Sequence, residues 1–143
     1  MSIAPVGTAE MPVRLLKLAV VYLVCGMSLG LYMGTVQDFL LRSVHAHINL
    51  MGWASLGLAA LVFQIFPSLA ETRLSSIWFW GYNLALPVGL LGLALELSGH
   101  RWAGPLLGIG MTVVWAMGVL FAVNVLWGLR RAPSDAQRSV PAE

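Results

Sequence analysis

The sequence predicts an all-α membrane protein, a bundle of four transmembrane helices with both termini cytoplasmic. Of its 143 residues, 59% are apolar and 10% charged, against roughly 25% charged in a water-soluble domain. Its mean hydropathy is +0.83. The few charges cluster, leaving four stretches without Asp, Glu, Lys or Arg, at 18–36, 43–70, 74–95 and 102–129. Each is close to or above the about 20 residues that cross a bilayer core. The expected organisation is a cytoplasmic N-terminal segment over 1–13, a single transmembrane domain over 14–130 and a flexible cytoplasmic tail over 131–143.

The first stretch follows Arg14 and Lys17 and lacks a small-residue cleavage site, so it reads as a retained helix rather than a leader. Gly26, Gly30 and Gly34 fall four apart along it, a spacing that lets another helix approach closely, within the bundle or between subunits. Its lone cysteine, Cys25, is expected to be a packing residue. Gln37, Asp38 and Arg42 separate it from the second stretch, which runs to Ala70 past Phe66-Pro67. In the third, Pro87 removes a backbone donor and predicts a kink. The fourth repeats the small-residue spacing at Gly104 and Gly108. Gln64, Asn83 and Asn124 are expected to hydrogen-bond between helices. Trp78, Trp80, Trp102 and Trp127 are expected as interfacial anchors.

Orientation follows from the basic residues. Arg14, Lys17, Arg73, Arg130, Arg131 and Arg138 fall on one side and only Arg42 and Arg101 on the other, which puts both termini inside a bacterial-type inner membrane. A net charge of +2, with its basic residues scattered at helix ends, is no footprint for nucleic acid.

This topology gathers all three histidines at the outer face: His45 and His47 at the start of the second helix, and His100 between the third and fourth, with Glu96 and Asp38 nearby. Ionisable residues at the membrane edge are functional candidates, and imidazole is a common metal and haem-iron ligand. Residues two apart on a helix point about 200° away from each other. His45 therefore shares a face with Asn49, Gly52 and Ala59, and His47 with Met51, Ala54 and Leu58. The second face suits a flat apolar ligand. The alternative is that the histidines only anchor the interface.

The run Val44-His45-Ala46-His47-Ile48-Asn49-Leu50, followed by an apolar helix ending in Phe66-Pro67, resembles the second helix of the catalytic subunit of haem-copper oxidases, the nitric-oxide-reductase branch above all. The run Trp78-Phe79-Trp80-Gly81-Tyr82-Asn83-Leu84-Ala85-Leu86-Pro87 is similar to that family's third helix. The resemblance implies that His47, two before Asn49, ligates haem b. His45 has no assigned counterpart, and the family's remaining ligands come from later helices. The expectation is a b-type haem protein for electron transfer or haem sensing, with no oxygen reduction of its own. Its second axial ligand would be His45, His100 or the same residue of another subunit in a homodimer, with Met51 beside the haem, and a respiratory-chain protein would be its redox partner. Copper or another metal held by His45, His47 and His100, with Met51 assisting, is the alternative. An accessory subunit without a ligand is the third reading.

Overall fold

The computed structural model describes residues 10–131. Residues 1–9 of the expected cytoplasmic segment over 1–13, and 132–143 of the expected tail over 131–143, fall outside the described residues, while residues 10–13 already belong to the first helix. Four helices are long and apolar enough to cross a membrane: Glu10–Val36, Arg42–Ile65, Arg73–Leu97 and a fourth described as Gly104–Arg131. No strand occurs among the described residues. The shortest of the four has 24 residues. At about 1.5 Å per residue this exceeds the roughly 30 Å hydrocarbon core.

Local chemistry sets the helix ends. Glu10 opens the first described helix and accepts a hydrogen bond from Arg14 one turn later, at 2.7 Å. The helix stops where Gln37 adopts φ 55°. The second helix ends at Ile65, earlier than the uncharged run predicts. Phe66 precedes Pro67 and is driven out of helical geometry, to φ −122° and ψ 74°. Pro67 then heads a short turn of helix, Pro67–Ala70. Thr72 caps the third helix by accepting from the Ser75 amide at 3.1 Å. Gly99, at φ 89°, closes it, with the amides of Gly99 and His100 bonded back to Glu96 and Leu95. The third helix runs unbroken through Pro87, at 25 residues.

The four helices form two pairs. The first packs chiefly on the second, and the third chiefly on the fourth. Glycines make both contacts close. A Cβ on Gly26 would stand 2.5 Å from the Asn49 side chain, and one on Gly30 would stand 2.7 Å from the His45 ring. Gly26 and Gly30 of the glycine triple therefore serve a contact inside the chain, while a Cβ on Gly34 would meet nothing within 4 Å. In the second pair, Gly110 lies against the Gly89 backbone, and a Cβ there would sit 2.5 Å from the Gly89 nitrogen. The expected Gly104 and Gly108 spacing takes no such part: a Cβ on Gly108 would meet nothing within 4 Å, and one on Gly104 would be in ordinary contact with the Glu96 carboxylate.

Two features tie the pairs together. Phe63, Trp78, Tyr82 and Phe121 form an aromatic cluster with ring centroids 4.9 to 5.8 Å apart. Trp78, 3% exposed, belongs to this core and is not an interfacial anchor, whereas Trp80, Trp102 and Trp127 are exposed. Toward the Pro67 end, Asn124 donates to Leu69 O at 3.2 Å and to Ser75 Oγ at 2.8 Å, and accepts from Thr72 Oγ1 at 3.1 Å. It is the inter-helix hydrogen-bonder that the sequence suggests. Gln64 is exposed instead, and the Asn83 amide donates within its own helix, to Phe79 O at 2.7 Å.

Candidate functional site

The second helix changes character one residue past His47. Arg42–His47 is α-helical, Ile48–Ala54 is π-helical and Ser55–Ile65 is α-helical again. A π turn holds more residues than an α turn, so the following residues rotate round the helix axis and carbonyls lose their usual donors. Two carbonyls of the stretch also receive side-chain donors. Tyr82 of the third helix donates to Met51 O at 2.9 Å, and Ser55 donates to Leu50 O at 2.8 Å. Gly52, within the stretch, lies against the Tyr22 ring with no room for a side chain.

The two neighbouring histidines part company, as their spacing predicts. His45 turns toward the first helix. Its Nδ1 donates to Gly26 O at 2.9 Å, and Asn49 donates to the His45 carbonyl at 2.8 Å, both fitting over Gly26 and Gly30. His45 is thus a packing group between the first two helices. It shares no face with His47.

His47 turns the other way, into a groove of about 760 Å³ between the second and fourth helices. Along the second helix the groove is lined by His47, Met51, Ser55, Leu58, Ala59 and Val62. Regular helix spacing gives Ala54 in place of Ser55 and sets Ala59 on the His45 side; the π turn moves the register by a residue and reverses both. Trp78 and Tyr82 floor the groove, and the fourth helix closes it with Met111, Val114, Trp115, Gly118 and neighbours. The apolar lining matches the pattern of cofactor and small-ligand sites, which run from about 300 to 1,000 Å³.

The His47 ring is held at one nitrogen. Nδ1 lies 2.7 Å from the Ser43 carbonyl one turn earlier. A carbonyl can only accept, so Nδ1 carries the hydrogen and, in a neutral ring, Nε2 keeps its lone pair. Metal-ligating histidines are commonly oriented in this way, by a hydrogen bond from the second ring nitrogen.

The other expected site residues lie elsewhere. His100 is exposed in the turn between the third and fourth helices, edge-on to Trp102 with centroids 6.3 Å apart. Asp38 accepts from the Leu40 amide at 3.0 Å in the first turn. Glu96 has one buried carboxylate oxygen, Oε2, with no hydrogen-bond partner among the described residues. The three histidines share one end of the bundle but not one site. Among the described residues no group of three or more His, Cys, Asp or Glu is arranged to hold a metal ion. Sequence reasoning missed Met111, Trp115 and Tyr82 as groove residues. No local motif marks them, because their role depends on which helices pair.

Four long apolar helices, three of which line a groove with an oriented imidazole at its wall, define this chain as a multi-pass helical bundle of membrane-protein type. Compared with known proteins, it matches no family model, no curated protein and no solved structure.

Proposed function

We propose that this protein binds haem b in the groove through His47 and acts in electron transfer or haem-based sensing, as a relative of haem-copper oxidase catalytic subunits without oxygen-reducing chemistry of its own. His47 carries the reading. Of the three histidines it alone borders the groove, with Nδ1 tied to the Ser43 carbonyl and Nε2 left for a ligand.

The surroundings fit the group. The porphyrin faces need apolar walls, which Leu58, Val62, Val114 and Phe121 supply. Met51, one turn past His47, lines the same wall. Haem, when bound, supplies one-electron redox chemistry or a gas-binding iron. The chain's own part is to hold the iron by one imidazole, to fix that imidazole through a backbone carbonyl and to keep water from the ring faces.

The charge distribution supports a bacterial-type inner membrane with both termini cytoplasmic, since six of the eight basic residues fall on the terminal side. His47 then lies toward the outer face, where a respiratory-chain redox partner would approach. A homodimer, if formed, uses surfaces other than Gly26 and Gly30, which are occupied by Asn49 and His45.

The test is an absorption spectrum of the full chain purified from haem-replete cells, oxidised and then dithionite-reduced. A Soret band that His47→Ala abolishes and His45→Ala retains supports the reading; no Soret band, or one indifferent to His47→Ala, overturns it. One observation favours a second reading: two thioethers, Met51 and Met111, share the groove with His47. Imidazole with thioether suits copper. Copper at one equivalent without porphyrin, lost in His47→Ala, would establish copper handling instead.

A further inference from the structure

We propose that Met111 is the second axial ligand of the haem, so that the fourth helix completes the site begun by His47 on the second. The inference rests on haem binding by His47 and goes beyond it, because it makes the site complete within one chain.

Three arguments converge on this residue. Axial ligands must stand on opposite faces of the porphyrin, so the second must come from the wall opposite His47. Met51 fails that condition: it follows His47 by one turn on the same helix and lines the same wall. The other histidines fail as well, since His45 is turned to the Gly26 carbonyl and His100 lies exposed in a turn.

Among the residues of the third and fourth helices that line the groove, Met111 is the one with a free lone-pair donor suited to iron. Val114, Gly118, Val119, Phe121 and Ala122 have none, and the nitrogens of Trp78 and Trp115 are donors only. Tyr82 is engaged, its hydroxyl donating to Met51 O at 2.9 Å.

Met111 is also seated beside the groove on an adaptable side chain. Its thioether rests over Gly89 of the third helix, where a Cβ would stand 3.2 Å from the sulfur. Ligation requires this unbranched side chain, with its three rotatable bonds, to turn from that seat into the groove. Histidine with methionine is an established haem-iron pair, and the thioether raises the reduction potential relative to a second imidazole.

The experiment uses the full chain in detergent, loaded with haem and followed by absorption and electron paramagnetic resonance. The wild type is expected to be low-spin and six-coordinate. Met111→Leu should keep the haem but lose the low-spin signal, Met111→His should restore it with a lower reduction potential, and Met51→Leu should leave it unchanged. Circular dichroism of each variant checks the fold. A low-spin signal that persists in Met111→Leu overturns the Met111 assignment while leaving His47 intact. Absence of haem from the wild type, or haem indifferent to His47→Ala, overturns the underlying reading and this one with it.

Discussion

The Tyr82 hydroxyl donates to the Met51 carbonyl at 2.9 Å, joining the third helix to the π-helical stretch of the second. Tyr82 is 5% exposed, so nothing from solvent replaces the bond. Tyr82→Phe removes this inter-helix hydrogen bond and is expected to destabilise the bundle by about 0.5–1.5 kcal/mol. Reversible unfolding in mixed micelles measures this. Ser55→Ala, at the more exposed of the two carbonyl contacts, should cost less.

A contrast within one helix tests the glycine contact. Gly30→Ala pushes a methyl against the His45 ring, at 2.7 Å from Cε1, and should cost about 1–3 kcal/mol. Gly34→Ala meets nothing within 4 Å and should change stability by no more than about 0.5 kcal/mol. If both were equally harmful, the triple would be acting in a contact between subunits, and the same unfolding assay would reveal it.

The polar junction near Pro67 makes a third prediction. Asn124, 4% exposed, gathers Leu69 O, Ser75 Oγ and Thr72 Oγ1 from two other segments. Asn124→Leu should lower stability by about 1–3 kcal/mol, because it strands buried polar atoms. Gln64→Leu, at an exposed position, should be close to neutral in the same measurement.

Filling the groove should separate ligand binding from folding. Gly118 lines the groove and has nothing within 4 Å of a built Cβ. Gly118→Leu therefore occupies ligand space while the helices keep their places. Haem titration should show affinity weakened by about tenfold or more, equivalent to about 1.4 kcal/mol, with circular dichroism unchanged.

Much of this architecture is legible in the sequence. Long uncharged runs mark the spans because a bilayer demands continuous apolar length, a requirement that leaves little room for tertiary context to override. The opposed directions of His45 and His47 follow from helical spacing alone. What stayed hidden depends on register and pairing. Nothing in Ile48-Asn49-Leu50-Met51-Gly52-Trp53-Ala54 announces a π turn, so regular spacing puts Ala54 on the His47 face and leaves Ser55 off it. Trp78 and Trp80 look alike in sequence, yet one is core and the other exposed. Met111 is one of seven methionines, and only the fold distinguishes it.

The division into two helix pairs has a consequence for how the molecule is made. A ribosome delivers the first and second helices before the third, and those two already hold their main contact, Gly26 and Gly30 beneath Asn49 and His45. The groove, by contrast, has walls contributed by the second and fourth helices, so it exists only after the fourth helix has been inserted. Any guest must therefore be loaded after the fourth helix is in place rather than onto the first pair alone.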